Sequence, residues 1–317
     1  MTYAKICKTG AYLPVNTLHN RELEQMIDTT DSWIQERSGI VQRHITAPGE
    51  NSATMAIEAA KAIFADGEYT VDCVDMIICA TCTPAKLIPA AACQVQAALG
   101  LQNIPAFDLN SACSGFIYAL TTADQYIRAG FCQHVLVIGA DAMSQVVDWE
   151  DRTTCILFGD GAGAVLLGAS HAPGIMAAHL GADGSAASLL ESTGALLSAV
   201  EPPFIKMQGK EVFRRAVKTL GNIVNTVLEQ AGVEPHELDW LVPHQANRRI
   251  IESTAKLLDM PMDKVILTID KHANTSAASI PLALHEGLIS EKIQRGDIIL
   301  LEAFGAGLSW GAALIQY

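Results

Sequence analysis

The runs FGDGAGAVLL (residues 158–167) and FGAGLSWGAAL (residues 304–314) open on the same Phe-Gly pair, continue through small residues and end in an apolar tail. Each reads as a strand whose glycines permit close backbone packing. One lies near the end of each half of the chain, so the pair implies an internal duplication. Working outward, strand-like runs alternate with helical ones: VDMIICATC (74–82), HVLVIGADA (134–142) and CILFGDGAGAVLLGA (155–169), then LDWLVPH (238–244), KVILTID (264–270) and DIILLEAFGAGLSWGAALIQY (297–317). Apolar strands between helices are the pattern of an α/β protein with buried sheets. SHAPG (170–174) supplies turn chemistry between the halves. The expected units are therefore residues 1–171 and 172–317, each a layered α/β half. The stretch 184–210 lacks regular periodicity and is expected to form loops.

Half of the 317 residues are hydrophobic and 17% are charged, which provides an ample core. The first residues carry no apolar signal segment, and no apolar run reaches the ~18 residues that span a bilayer. A cytoplasmic location is the expectation. All eight cysteines precede Gly159, which is not the framework of a secreted disulfide protein. The net charge of −13 argues against nucleic acid or an anionic membrane as partner. Basic residues nevertheless cluster at Arg214 and Arg215 on one helical pattern, and at Arg248, Arg249 and Lys256 on another. Each cluster alone reads as a solvated face; side by side on an acidic protein they suggest docking of an acidic partner.

Three short segments present chemically capable residues in a frame of small side chains: Cys113 in DLNSACSGF (108–116), His244 in LVPHQANRR (241–249) and Asn274 in KHANTSAAS (271–279). A cysteine attacks as thiolate, which a helix N-terminus and an imidazole favour. Apolar residues at helical spacing from Ser114 to Ala129, with Gly130 as a stop, put Cys113 at the start of a buried helix. Cys7, Cys73, Cys93, Cys132 and Cys155 read as small core residues. His244 alone reads as structural, but it follows a strand-like run, where α/β proteins form ligand sites. Asn274 alone reads equally as a turn residue.

Two other motifs compete. Cys79 and Cys82 have the CxxC spacing of a dithiol redox centre, yet no helix N-terminus follows them, and no second pair completes a zinc site. Gly159 to Gly163 lacks the Lys-Ser/Thr of a phosphate loop and lies inside a strand pattern. A redox protein is thus the weaker alternative, and no metal site is expected.

At these residues the chain resembles the thiolase-fold condensing enzymes, specifically the β-ketoacyl-acyl carrier protein synthase III family. The resemblance runs through TTDSWIQERSGI (29–40), ACSGF, FGDGAGA, VPHQAN, HANTSAAS and LLEAFGAGLSWGAAL. Elongating ketosynthases carry a second histidine and thiolases a second cysteine where this chain has Asn274. Plant-type polyketide synthases share Cys-His-Asn but are longer.

The resemblance implies an αβαβα thiolase-like fold and a homodimer. It also implies a two-step condensation without cofactor, in which a short acyl-CoA acylates Cys113 and malonyl-acyl carrier protein is decarboxylated and attacks the thioester. It assigns the oxyanion backbone donors to Cys113 and Ala306, in the Gly305-Ala306-Gly307 turn, and the malonyl oxygen donors to His244 and Asn274. Family members usually have glycine at position 306, so a positive φ there would cost the alanine about 1 kcal/mol or more. Trp33 and Arg152 are assigned to sandwich the CoA adenine, with Arg37 near its phosphates. The acyl pocket is assigned to Leu157, Phe158, Leu190, Ile205 and Phe213, with Ile88 reaching across the dimer interface. Arg214, Arg215, Arg248, Arg249 and Lys256 become the carrier-protein docking face. A specialised condensing enzyme of secondary metabolism is the alternative on the same fold.

Overall fold

The computed structural model describes residues 2–193 and 202–317. A first sheet contains β1 (Tyr3–Tyr12), β2 (Met76–Ala80), β3 (Ala106–Leu109), β4 (His134–Ala142) and β5 (Asp160–Ser170) in the order β1-β5-β4-β2-β3. A second contains β6 (Ile175–Ala182), β7 (Trp240–Pro243), β8 (Ile298–Gly305) and β9 (Ser309–Gln316) in the order β7-β8-β9-β6. In both sheets an antiparallel hairpin pairs with the opening strand on one side and a parallel strand on the other. The two halves thus repeat one topology, but FGAGLSWGAAL is not the single strand expected: Phe304 and Gly305 end β8 and Ser309 begins β9, whereas Phe158 and Gly159 precede β5.

A second run also departs from expectation. KVILTID does not form a strand: Val265 makes an isolated parallel bridge with Leu241, where β3 would lie in the first sheet, and Ile269–His272 is a helical turn. The Ile266 N–H still bonds the Leu241 oxygen at 2.9 Å, so the run occupies the edge position without a ladder.

Helices complete five layers. α1 (Asp31–Ser38) lies outside the stack; α2 (Ser52–Phe64) and α3 (Ala91–Ala98) cover the outer face of the first sheet. α4 (Gly115–Arg128) and α7 (Ser279–Ile289) fill the space between the sheets, while α5 (Gly209–Ala231) and α6 (Arg248–Leu257) cover the second. Alternation explains the layering. In β2, Ile77 and Cys79 join the outer cluster, whereas Met76, Ile78 and Ala80 join the central one. Both faces are buried, so the run reads as continuously apolar. The stretch 184–210 contains a 3-10 segment, Gly184–Leu189, a two-stranded ribbon, Leu190–Glu191 with Lys206–Met207, and the start of α5; residues 194–201 lie outside the described residues.

Candidate active site

Cys113 occupies a 3-10 turn, Ala112–Ser114, that leads into α4; the helix itself starts one residue later than expected. Asn274 and the 3-10 turn Ser276–Ala278 lead in the same way into α7. Three non-glycine residues around these positions have positive φ: Ala112 (+45°), Ala273 (+56°) and Ser276 (+52°). Each costs roughly 1–3 kcal/mol and persists only where surrounding structure enforces it. Enforcement is visible. Asp141, buried at the end of β4, accepts bonds from Thr81 Oγ1, Cys82 N and Thr83 N through Oδ1 and from Ala277 N through Oδ2, the last at 3.0 Å. Ser309 Oγ bonds Ser114 Oγ at 2.7 Å and donates within reach of the Ser111 and Ala306 carbonyls.

The side chains of the trio are held individually. The Asn274 N–H donates to the Leu157 oxygen and Gly159 N–H to the Asn274 oxygen, both at 3.0 Å, which ties position 274 to the segment before β5. Its Oδ1 accepts the Ser276 N–H at 2.9 Å, so the Nδ2 donor is left for the site. His244 follows β7; its N–H donates to the Glu302 main-chain oxygen at 2.7 Å, and Nδ1 meets Ser279 Oγ at 2.5 Å. Ser279 Oγ also accepts the Gln245 N–H at 3.3 Å, and its own proton is available to Nδ1. On this ground we assign the imidazole proton to Nε2.

Two cavities meet at Cys113. One, of about 120 Å³, is lined by Cys113, His244, Asn274 and Glu302, with an apolar wall that includes Phe213 and Ala216 of α5. The other, of about 280 Å³, lies beside Cys82, Met143, Val146, Ile205 and Ala306. Phe158 and Leu190 line both. Among the residues expected in the acyl pocket, Ile205 lines the second cavity, Leu157 and Phe213 only the first. Ile88 is 83% exposed and lines neither.

Burial dominates the electrostatics. It pushes the Cys113 thiol up to about 12, holds His244 down to about 3 and raises the Glu302 carboxyl to about 8. Burial thus opposes the thiolate that the helix start favours. Ala306 does not have a positive φ, so the conditional cost to alanine does not arise; the positive φ of the turn falls on Gly307 at +132°.

At the mouth, Asn247 donates to the Arg37 oxygen at 2.9 Å, joining α6 to α1. Arg37 and Arg152 both lie over Trp33, 5.8 and 5.0 Å from the ring centroid. Two carbon contacts span roughly 7 Å, so Trp33 and Arg152 stand too close here to admit a flat ring between them. The basic clusters are partly neutralised. Arg214 and Arg215 share Glu211, Arg215 also meets Asp183, and Arg248 meets Glu252. Arg249 instead lies 5.6 Å over the Phe213 ring, and Lys256 is exposed. Cys79 packs in the outer cluster while Cys82 faces Cys113, so the CxxC pair is split between two environments.

Family models described as 3-oxoacyl-[acyl-carrier-protein] synthase III match residues 107–184 and, for its C-terminal part, residues 228–317. A β-ketoacyl-[acyl-carrier-protein] synthase III of Coxiella burnetii is 52% identical over 318 residues, covering 100% of both chains. The chain belongs to this family. A 3-oxoacyl-[acyl-carrier-protein] synthase III structure from Aquifex aeolicus is 47% identical, with TM-score 0.94 over 99% of this chain and 100% of that one. The priming β-ketosynthase of the R1128 polyketide pathway is 33% identical, with TM-score 0.95 over 99% and 96%. The fold is thus thiolase-type and the activity that of a condensing acyltransferase of fatty acid synthesis.

The sequence reading named Cys113, His244 and Asn274 but missed Ser279, Asp141 and Glu302. Ser279 stands in the quoted HANTSAAS segment, yet nothing in that run says which hydroxyl meets the imidazole.

Proposed function

We propose that Cys113 takes the acyl group of a short acyl-CoA and that His244 Nε2–H and Asn274 Nδ2–H then hold the thioester oxygen of malonyl-acyl carrier protein while it loses carbon dioxide. The resulting carbanion attacks the acyl-Cys113 thioester and releases β-ketoacyl-carrier protein. The observation that carries this reading is the Asn274 amide, whose Oδ1 is occupied by Ser276 N–H in a cavity shared with Cys113 and His244. An amide so held donates at any pH. In the acylation half, the oxyanion falls to the N–H groups of Cys113 and Ala306, a pair of main-chain donors. This chemistry balances without metal or redox cofactor.

In this reading the 120 Å³ cavity is the inner end of the pantetheine path and the second cavity receives the acyl chain. Trp33, Arg152 and Arg37 take the CoA head group, which requires Arg152 to swing off the indole. Arg249, poised on Phe213 at the mouth, leads the docking of the acidic carrier protein, with Lys256, Arg248, Arg214 and Arg215 around it. A homodimer would cover the exposed Leu87 and Ile88 and bring Ile88 to the partner's acyl pocket. The expected location is the cytoplasm; among the described residues, no helix is long and apolar enough to cross a membrane.

Intact mass after incubation with acetyl-CoA, followed by a chase with malonyl-carrier protein, tests the whole sequence. An acetyl adduct on Cys113 that disappears with formation of β-ketoacyl-carrier protein is expected. Preference for octanoyl-CoA over acetyl-CoA would favour a specialised priming enzyme, the reading to which the R1128 neighbour points.

A further inference from the structure

Glu302 is the single carboxyl among the residues lining the cavity of Cys113, His244 and Asn274. It is 2% exposed, and its Oε2 has no hydrogen-bond partner among the described residues. The Thr254 hydroxyl of α6 bonds the carboxyl, and the Glu302 main-chain oxygen holds the His244 N–H. Three residues further along β8 is Gly305, where a Cβ would come within 2.8 Å of the Cys113 nitrogen. The titratable groups sharing the cavity are Cys113, from the turn before α4, and His244, from the loop after β7. From α5 the lining is apolar, from α6 the carboxyl meets Thr254, and no cation stands among the lining residues. An unpartnered buried carboxyl oxygen is rare in native proteins and calls for a role.

The acyl transfer supplies one, and the inference rests on the two-step reading above. As acyl-CoA reacts, the S–H bond of Cys113 and the C–S bond to CoA break, a C–S bond to Cys113 forms, and the proton ends on the CoA sulfur. We propose that Glu302 holds this proton in transit: through water admitted by the cavity, its carboxylate accepts the Cys113 proton as Sγ attacks and returns it to the departing CoA thiolate. Glu302 ends the step as it began, so atoms and charges balance. Neither Cys113, pushed up to about 12, nor His244, held down to about 3, is matched to neutral pH. A carboxyl raised to about 8 both accepts and releases a proton there.

The test is single-turnover acylation of the full chain by acetyl-CoA, read as the mass adduct on Cys113 from about pH 6 to about pH 10. For the wild type, the rate should rise about tenfold per pH unit and level off near pH 8. Glu302→Gln should acylate more than about tenfold slower at pH 8 and lose the levelling, its rate climbing onward with thiol ionisation. Glu302→Asp should restore the levelling in part. A wild-type rate that keeps climbing past about pH 9.5, or a Glu302→Gln profile identical to wild type, overturns the proposal. Should Glu302→Gln fail to fold, Glu302→Asp carries the comparison, and a wild-type rate that keeps climbing still overturns the proposal. Failure of the wild type to form any adduct would overturn the reading of Cys113 instead.

Discussion

The turn before α4 and the turn before α7 are the same backbone device carrying different chemistry. Each is a 3-10 turn opened by a non-glycine residue of positive φ, Ala112 in the first and Ser276 in the second. Each is pressed against the strand that follows the central helix of the other half. At Gly305 of β8 a Cβ would meet the Cys113 nitrogen at 2.8 Å, and at Gly139 of β4 it would meet the Ala277 oxygen at 2.2 Å. Each turn also has a side-chain anchor, Ser309 at the start of β9 for the first and Asp141 at the end of β4 for the second. One turn presents a thiol; the other orients amide and hydroxyl donors. A repeated frame thus presents Cys113 on one turn and the Asn274 amide beside the other, and in the proposed reading the two serve different half-reactions.

If the division is real, the two turns fail differently. Cys113→Ala should lose the acyl adduct and all condensation. Asn274→Ala should still form the adduct from acetyl-CoA, while condensation falls on the order of 10²- to 10³-fold, the usual effect of removing one oxyanion donor. Mass spectrometry reads the first half-reaction and carbon dioxide release the second. Failure of Asn274→Ala to acylate, with normal decarboxylation, would reverse the assignment of the turns.

The glycines offer a reciprocal and smaller perturbation. Gly305→Ala pushes on the Cys113 backbone and should slow acylation first; Gly139→Ala pushes on Ala277 and should slow condensation first. Each overpacks a buried contact and should lower unfolding free energy by about 1–3 kcal/mol in chemical denaturation. Equal losses in both half-reactions from either variant would mean that the turns move as one body.

The contrast also shows what a sequence can and cannot express. The paired glycine-rich runs made the duplication readable, because close backbone approach excludes a side chain wherever the fold needs it. Cys113, His244 and Asn274 were readable because each stands among small residues. KVILTID was misread, since β-branched apolar residues fit a sheet edge whether or not a ladder forms there. Glu302 and Asp141 were invisible for another reason: each sits in an apolar strand pattern, and only the folded arrangement shows whether a carboxylate there has partners. The basic clusters were readable as positions but not as net charge, because Glu211 and Asp183 pair with Arg214 and Arg215, and Glu252 with Arg248, only once the chain is folded.

The smallest expected effect separates two serines one position apart in the two frames. Ser114, which precedes the first residue of α4, bonds Ser309 and the Ser111 carbonyl, so it fastens the nucleophile turn without touching the trio. Ser279, the first residue of α7, meets His244 Nδ1 and, in the tautomer assigned above, keeps the imidazole proton on Nε2. Removing a hydrogen bond of this kind costs about 0.5–1.5 kcal/mol. Ser279→Ala should therefore lower malonyl decarboxylation by roughly twofold to tenfold and leave the Cys113 acylation rate unchanged. Ser114→Ala should do the opposite, loosening the thiol turn and slowing acylation with decarboxylation intact. The imidazole is the point of leverage: without the Ser279 hydroxyl, both tautomers become populated and only the Nε2–H form donates to the malonyl oxygen. Nitrogen chemical shifts of His244 should show that mixture directly in Ser279→Ala, and a wild-type spectrum with the proton on Nδ1 would remove His244 from the role of donor.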